Sequence, residues 1–289
     1  MLRKTRAGHK QATNLLEKRR PALVAVWGSA GSGKTMLAIN LAFELTRLNQ
    51  KVLLVDLDMC RPSVAAWLGL ADAGPGITAA LRLARSSRLQ VDEVLRLCAE
   101  LKFGGSRVDI LTGISSPRRW KEVRPEDLDV LISVVSEHFD FILFDVNDEL
   151  DIGPPVQDPD SRPTITKWMV EAADLVLATF VADPVGVNRF LFDLNAVGRD
   201  IWPIANRISI RSLGRSASKQ LRDTLAHFTT FPIRAELPSD WASCEASISH
   251  ARPLMLESPN AKLTLAVRSL ACEIVDECGA RLNSEGGET

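Results

Sequence analysis

Long apolar runs are missing from this 289-residue chain. No stretch approaches the roughly 20 apolar residues that a membrane-spanning helix needs. Residues 1–20 contain no apolar core of the kind that a secretory signal peptide requires. We therefore expect neither a membrane span nor export, and we predict a cytoplasmic protein.

Paired cysteine motifs are also missing. The chain has five cysteines, and none of them forms a CxxC pair. They are Cys60, Cys98, Cys244, Cys272 and Cys278. Because zinc sites and redox motifs use closely spaced cysteines, and because most of these five lie in apolar helical patterns, we expect buried free thiols and no metal site built on cysteine.

Positive charge is concentrated at the start of the chain. Residues 1–20 carry seven basic side chains and one acidic side chain, although the formal net charge of the whole chain is −1. The remainder holds 28 basic and 35 acidic residues. A basic tail can contact acidic lipid, nucleic acid or a partner, but a solvated, disordered tail is the simpler interpretation.

Short apolar runs recur along the chain and predict strands. They cover residues 22–27, 52–56, 108–111, 141–145 and 175–181, with a weaker run at 201–206. The runs are continuous rather than alternating, which is typical of strands covered on both faces. The predicted fold class is therefore α/β, a doubly wound and mainly parallel sheet with helices on both faces.

Helical patterns separate these runs. They cover residues 36–45, 76–86, 90–101, 125–138, 165–173, 185–198, 214–227, 239–249 and 258–282. The stretch 147–163 holds four prolines and five acids, and it predicts a long loop within one domain. We expect a single domain at 21–282, between a disordered tail at 1–20 and a flexible end at 283–289.

The strongest local motif is a phosphate loop, GxxxxGK[ST], between a predicted strand and a predicted helix. Its residues are Gly28, Ser29, Ala30, Gly31, Ser32, Gly33, Lys34 and Thr35, and we add Met36 to the nucleotide-binding set. Glycines let successive backbone N–H groups point at phosphate oxygens at the start of a helix. Lys34 would reach the β- and γ-phosphates, and the Thr35 hydroxyl would ligate Mg²⁺. This motif predicts binding of ATP and Mg²⁺.

Two other predicted strands end in carboxylates. Phosphate-loop enzymes place a carboxylate at the end of a second buried strand to hold the water shell of Mg²⁺, and Asp145 fits this position. Asp56 and Asp58 lie two residues apart, on the same side of an extended chain, so one of them could face the γ-phosphate. The alternative is that these aspartates cap turns or open a solvated loop.

From residue 22 to about 280, the chain resembles the MinD/ParA class of ATPases. KVLLVDLD at 51–58 is similar to the strand and switch of that class. The resemblance implies that Asp58 orients the attacking water, that Lys34 acts with it, and that Asp56 supports Mg²⁺ or the switch.

Another element of the class lies after the weak strand at 201–206. Asn206 and Arg207 are similar to its Asn-Arg pair, whose asparagine reads the adenine edge. The resemblance places both residues in the nucleotide site.

Two segments resemble the CpaE/TadZ branch of the class, in particular its actinobacterial members, which is associated with tight-adherence pilus assembly. One is DMCRPS at 58–63 followed by WLGL at 67–70. The other is LTGISSPRRW at 111–120, which leads into EVRP.

Ser29 departs from the pattern of the class, which reads KGGxGKT and uses its first lysine across a dimer interface. A serine cannot supply that charge. Lys34, Thr35 and the backbone amides would still bind nucleotide, whereas dimer-dependent hydrolysis lacks its usual cation. DVND at 145–148 also replaces the usual Asp-x-Pro-Pro.

The resemblance implies a slow ATPase that forms a homodimer with ATP and positions or assembles a pilus or secretion apparatus. A protein partner would bind it and could recruit it to the inner face of the membrane. One alternative is a DNA-partitioning ATPase that uses Arg215, Lys219 and Arg222, although a solvated helix face explains these residues more simply. Another is a non-hydrolysing scaffold, which Ser29 favours.

Overall fold

The computed structural model describes residues 20–70, 72–150, 162–209 and 216–285. The predicted tail up to residue 19, most of the predicted loop at 147–163, Arg215 and residues 286–289 lie outside the described residues. The prediction of one domain at 21–282 with flexible ends stays a prediction.

Eight strands form one sheet. They are β1 (Ala22–Trp27), β2 (Val52–Leu57), β3 (Ala99–Phe103), β4 (Ser106–Leu111), β5 (Phe141–Val146), β6 (Leu175–Val181), β7 (Trp202–Ile208) and β8 (Ala235–Pro238). The strand order is β3-β4-β2-β5-β1-β6-β7-β8. All neighbouring pairs are parallel except β3 and β4.

Eleven α-helices lie in the described ranges. They are α1 (Lys34–Arg47), α2 (Val64–Trp67), α3 (Gly76–Arg85), α4 (Val91–Leu97), α5 (Pro125–Val135), α6 (Arg162–Ala172), α7 (Pro184–Leu194), α8 (Ala217–Ala226), α9 (Trp241–Ser249), α10 (Leu254–Glu257) and α11 (Lys262–Glu285). A 3-10 helix covers Pro117–Glu122.

Helices cover both faces of the sheet. On one face, buried side chains of α3, α4, α5, α6, α7 and α8 pack against the sheet, and on the other face those of α1, α10 and α11 do so. The central strands β1, β2 and β5 are buried at every position, as their continuous apolar runs predict. The doubly wound, mainly parallel α/β fold is thereby confirmed.

The predicted helix at 90–101 is wrong at its end. The helix stops at Leu97, and Ala99–Phe103 instead forms the edge strand β3, antiparallel to β4. Gly104 and Gly105 form the two-residue turn between these strands, with φ of 51° and 84°. Paired glycines with positive φ favour a tight hairpin, and β3 alternates between half-buried and exposed residues.

The second edge strand, β8, was not predicted. It has only four residues, Ala235–Pro238, and is paired in parallel to β7. A run this short, which includes Glu236 and ends in proline, lacks the apolar signature of a buried strand.

The cysteines are free thiols, as expected, but the expectation that they are buried is wrong for most of them. All five cysteines are free thiols, but only Cys278 is buried and Cys272 is exposed. Within the described part of the chain, no helix is long and apolar enough to cross a membrane.

The turn between β3 and β4 gives a test of this correction. A methyl group at Gly105 would meet no atom within 4 Å, so Gly105→Ala changes only the backbone preference. We expect it to lower the free energy of unfolding by about 1 kcal/mol in urea denaturation, because an L-residue is strained at positive φ. The control is Gly198→Ala, which also meets open space but does not have a left-handed φ. Equal stability of the two variants would contradict the hairpin.

Candidate functional site

The phosphate loop connects β1 to α1 and needs glycine at two positions of close approach. Gly28 has a φ of 152°, and a methyl group there would overlap the backbone carbonyl oxygen of Thr179 on β6. Gly33 has a left-handed φ of 92°, and its carbonyl accepts a hydrogen bond from Leu37 N (3.0 Å). The loop therefore lies directly on the carboxyl ends of the sheet before α1 begins at Lys34.

Asn206 on β7 holds the phosphate loop through its side-chain amide. Its Nδ2 donates a hydrogen bond to the Ser32 carbonyl oxygen (2.7 Å), and its Oδ1 accepts one from Arg207 N (2.8 Å). A side chain at Gly33 would overlap the Asn206 amide. The amide group retains one N–H and one lone pair, so the implied contact with adenine stays a prediction.

The remaining loop residues differ in their exposure. Ser29 is half-buried, and its carbonyl accepts a hydrogen bond from Ser32 N (3.0 Å). Ala30 and Gly31 are exposed, whereas Met36 is buried. No basic side chain occupies position 29.

Thr35 and Asp145 meet at the side of the loop where Mg²⁺ was predicted. Thr35 Oγ1 donates a hydrogen bond to Asp145 Oδ2 (2.7 Å), and Ser63 Oγ donates to Thr35 Oγ1 (3.3 Å). Ser63 was not in the predicted site. Its segment, DMCRPS, resembles the CpaE/TadZ branch, but the residue type alone gives it no role, because it joins the site through the path of the chain after β2.

Asp56 and Asp145 face each other across neighbouring strands. They are register partners on β2 and β5, and both are fully buried. Asp56 accepts hydrogen bonds from Asp58 N (3.2 Å) and Val64 N (3.1 Å). Burial raises the pKa of Asp56 to about 7, although these hydrogen bonds act to lower it. Burial and the nearby Asp56 raise the pKa of Asp145 well above its usual range.

Gly113 allows this buried pair to be covered from the β4 side. A methyl group there would lie 2.5 Å from Pro62 Cβ and 3.0 Å from Asp56 Cγ. The predicted site did not include Gly113, although it belongs to the LTGISSPRRW segment. Only the register of β4 beside β2 brings it to Asp56.

The carboxylate and hydroxyl donors fit a magnesium ion. Asp145 Oδ1 is buried and has no hydrogen-bond partner among the described residues. A divalent cation would supply the charge that this desolvated pair lacks. In the described ranges, no group of three or more His, Cys, Asp and Glu side chains is arranged to hold a metal by itself. Thr35 and Asp145 would therefore hold Mg²⁺ together with phosphate oxygens and water, as this ion prefers.

Asp58 lies beside the loop lysine. Its Oδ1 accepts hydrogen bonds from Cys60 N (2.9 Å) and Arg61 N (2.8 Å). Its Oδ2 lies 3.8 Å from Lys34 Nζ, and both side chains are about nine-tenths buried. The turn after β2 thus holds one carboxylate oxygen fixed and directs the other toward the cation.

A cavity of about 430 Å³ extends from the loop across the ends of β7 and β8. Its lining includes Gly31, Gly33, Lys34, Thr35, Met36, Asn206 and Arg207 from the predicted site. It also includes Trp67, Pro238, Ser239, Asp240 and Trp241, which were not predicted. Because β8 was missed, the sequence offered no reason to place the turn that follows it beside the loop.

Replacing Asp145 by asparagine tests whether charge repulsion within the buried Asp56–Asp145 pair destabilises the fold. A carboxyl group with a raised pKa binds more protons in the folded state, so the stability of the metal-free protein falls as pH rises through that pKa. We expect unfolding free energies, measured by urea denaturation in EDTA from pH 6 to 8, to fall with pH. Asp145→Asn should make this fall shallower, by at most about 1.4 kcal/mol per pH unit.

The matched control for this experiment is Asp223→Asn, which removes an exposed carboxylate on α8. It should follow the wild-type pH dependence, because the side chain lies on the surface, away from the Asp56–Asp145 pair. Equal slopes for Asp145→Asn and the wild type would show that the pair is not strained.

The comparisons with known proteins agree with this geometry. The model of the CobQ/CobB/MinD/ParA nucleotide binding domain matches residues 23–254. The curated proteins contain no match. The predicted resemblance is confirmed at the level of the wider family that contains MinD and ParA, whereas the CpaE/TadZ branch stays a prediction.

Several solved structures share the fold. A ParA family ATPase from Chlorobium tepidum TLS is 17% identical, with a TM-score of 0.70 over 88% of this chain and 99% of that chain. The septum site-determining protein MinD from Pyrococcus horikoshii OT3, complexed with Mg-ADP, is 21% identical, with a TM-score of 0.66 over 90% and 98%. A putative plasmid partition protein from Borrelia burgdorferi B31, bound to AMPPNP, is 16% identical, with a TM-score of 0.60 over 89% and 99%.

The region that the family model covers runs from β1 to α10 and contains the phosphate loop, the facing carboxylates and Asn206. The chain therefore belongs to the CobQ/CobB/MinD/ParA nucleotide-binding family.

Proposed function

We propose that this protein binds ATP with Mg²⁺ and hydrolyses it slowly. The observation that carries the proposal is that Lys34 and Thr35 line a cavity large enough for a nucleotide. Asp58 lies beside Lys34, and Asp145 accepts a hydrogen bond from Thr35. The bound nucleotides named for similar structures, Mg-ADP and AMPPNP, support it.

Each of these residues has a role in phosphoryl transfer. Bound Mg²⁺ supplies positive charge at the phosphates. Lys34 extends from the first position of α1 and neutralises charge at the β- and γ-phosphates. Asp58 has one oxygen held by two backbone amides, and its other oxygen can accept a hydrogen bond from the attacking water. The backbone amides of the loop hold the phosphates in place.

Ser29 makes hydrolysis slow in this proposal. ATP binding would bring two copies together, as the resemblance to the MinD/ParA class implies. The copies then lack the lysine that the class places at this position, so the charge developing on the transferred phosphoryl group is stabilised less well. Binding depends on the backbone amides, Lys34 and Thr35, and it does not require a basic residue at position 29.

We further propose that the protein uses this nucleotide cycle, with a protein partner, to position or assemble a tight-adherence pilus or a secretion apparatus. Support comes from the two segments that resemble the CpaE/TadZ branch. In the structure, both of them lie against the site: residues 58–63 follow β2, and Gly113 approaches Asp56.

A DNA-partitioning role is the main alternative, since plasmid partition proteins share the fold. The helix expected to bind DNA is α8. Arg222 on this helix forms an ion pair with Glu236 (2.6 Å), and Asp223 is exposed next to it. Lys219 is exposed, and Arg215 lies outside the described residues. Because Arg222 is already paired with Glu236, the basic face of α8 is less suited to DNA, which favours the pilus or secretion role.

Phosphate release under multiple turnover tests the proposed activity. We expect wild-type protein with Mg²⁺ and ATP to release phosphate slowly, and Asp58→Ala to reduce the rate by about 10²-fold or more, as expected for loss of a group that positions the nucleophile. Lys34→Ala should also weaken ATP binding. Equal rates for wild type and Asp58→Ala would favour the non-hydrolysing scaffold.

Two further measurements separate the remaining alternatives. Light scattering with and without ATP should show an increase in mass from monomer to dimer.

Binding to random-sequence DNA should be weak and should change little when Lys219 and Arg222 are both replaced by alanine. DNA binding that is salt-sensitive and lost in that variant would favour partitioning.

A further inference from the structure

Helix α2 is a single turn that joins the two ends of the nucleotide cavity. It follows the segment that carries Asp56 and Asp58, and its last residue, Trp67, lines the cavity beyond Thr35. The lining also includes Ser63, the residue directly before α2. The same short element therefore lies beside the phosphate end and the far end of the cavity.

The start of α2 is fixed to the phosphate end by two contacts. Val64 N donates a hydrogen bond to Asp56 Oδ2 (3.1 Å), and Ser63 Oγ donates one to Thr35 Oγ1 (3.3 Å). Ser63 thus shares the hydroxyl oxygen that would ligate Mg²⁺. A change at that oxygen directly affects the first turn of α2.

The end of α2 is fixed to α9. Trp67 Nε1 donates a hydrogen bond to Ser247 Oγ (3.3 Å), and Ser247 Oγ donates to the carbonyl oxygen of Arg252. Ser247 is completely buried. Gly69 follows in a left-handed conformation, and a methyl group there would lie 2.9 Å from Ala251 Cβ. The segment after α2 therefore lies in direct contact with the turn after α9.

Helix α9 forms the far wall of the cavity. Trp241, Cys244 and Ile248 of this helix line it, and Trp241 is 74% exposed at the rim. Beyond α9, Leu254 N donates a hydrogen bond to Asn40 Oδ1 (2.6 Å) on α1. Because α1 holds the start of α10 in place through this contact, a displacement of α2 would act on the Trp67–Ser247 contact.

We propose that Trp67 is a positioning residue that couples the metal side of the site to recognition of the nucleoside. The inference rests on the proposed nucleotide binding and adds a linkage within that site. Through Ser63 and Val64, the position of α2 depends on whether Thr35 and Asp56 face a bound Mg²⁺. Through Ser247, Trp67 sets the position of α9, which forms the wall of the cavity where the base and ribose would lie. Binding of Mg²⁺ and binding of the nucleoside then strengthen each other.

Calorimetric titration of the full chain tests this linkage. Affinities are measured for ADP and for pyrophosphate, each with Mg²⁺ and with EDTA. Pyrophosphate occupies the phosphate loop but lacks a nucleoside, so the Mg²⁺ enhancement for ADP divided by that for pyrophosphate reports the coupling. Comparison of variants with the wild type cancels the binding of Mg²⁺ to the free ligands.

Trp67→Phe keeps an aromatic ring in the cavity and removes the N–H donor. We expect this variant to lower the coupling ratio three- to tenfold, the effect of losing about one hydrogen bond. Ser247→Ala removes the acceptor and should lower the ratio similarly, and it tests the contact independently if Trp67→Phe does not fold. The double variant should lose no more than either single variant, because both remove the same contact.

The matched control is Trp120→Phe, in the 3-10 helix Pro117–Glu122, away from the cavity lining. It should keep the wild-type ratio. An unchanged ratio in Trp67→Phe and Ser247→Ala would overturn the inference, as would additive losses in the double variant. Failure of the wild-type chain to bind both ADP and pyrophosphate would instead contradict the proposed nucleotide binding itself.

Discussion

Two carboxylates that face each other in a buried site are the constraint on which this structure depends. Asp56 and Asp145 are register partners on adjacent parallel strands, and both are removed from water. Burying like charges side by side is unfavourable unless protons or a cation compensate them. Thr35 donates to one carboxylate, and Asp58 N and Val64 N donate to the other. Burial raises the pKa of both groups and so favours protonation of the pair, and Mg²⁺ with phosphate would compensate the charge when bound.

The opposite half of the sheet holds the loop above this pair. Gly28 lies against the Thr179 backbone on β6, and Asn206 on β7 donates to the Ser32 carbonyl. With the hydrogen bond from Thr35 to Asp145 on β5, strands on both sides of β1 contact the loop and the start of α1. The crossover after β1 leads to β2 on one side and the crossover after the neighbouring strand β6 leads to β7 on the other, and ligands of doubly wound sheets bind at such a reversal. The site therefore follows from the fold, because it forms where the carboxyl ends of the parallel strands meet the phosphate loop.

The parts that could be predicted from sequence are those with short-range physical signals. Continuous apolar runs marked the buried strands, and the glycine spacing with Lys34 and Thr35 marked the cradle. The parts that were missed depend on tertiary position. Ser63, Trp67 and Gly113 lie in segments with a family resemblance, but no local pattern gives them a role, and the path of the chain after β2 and β4 brings them to the site. The edge strands β3 and β8 were missed for a related reason, since neither is buried on both faces.

Under the proposed function, serine at position 29 would affect hydrolysis but not nucleotide binding. Phosphate binding uses backbone amides, the helix start and Lys34, and each is present in a single copy of the chain. Hydrolysis needs additional charge where negative charge develops, and a serine that is half-buried in the loop cannot provide it. Under the proposed function, a site that binds nucleotide and hydrolyses it slowly would keep its nucleotide for long periods. The proposed linkage between the metal and the nucleoside through α2 would then influence the state of the protein more than the rate of the chemical step.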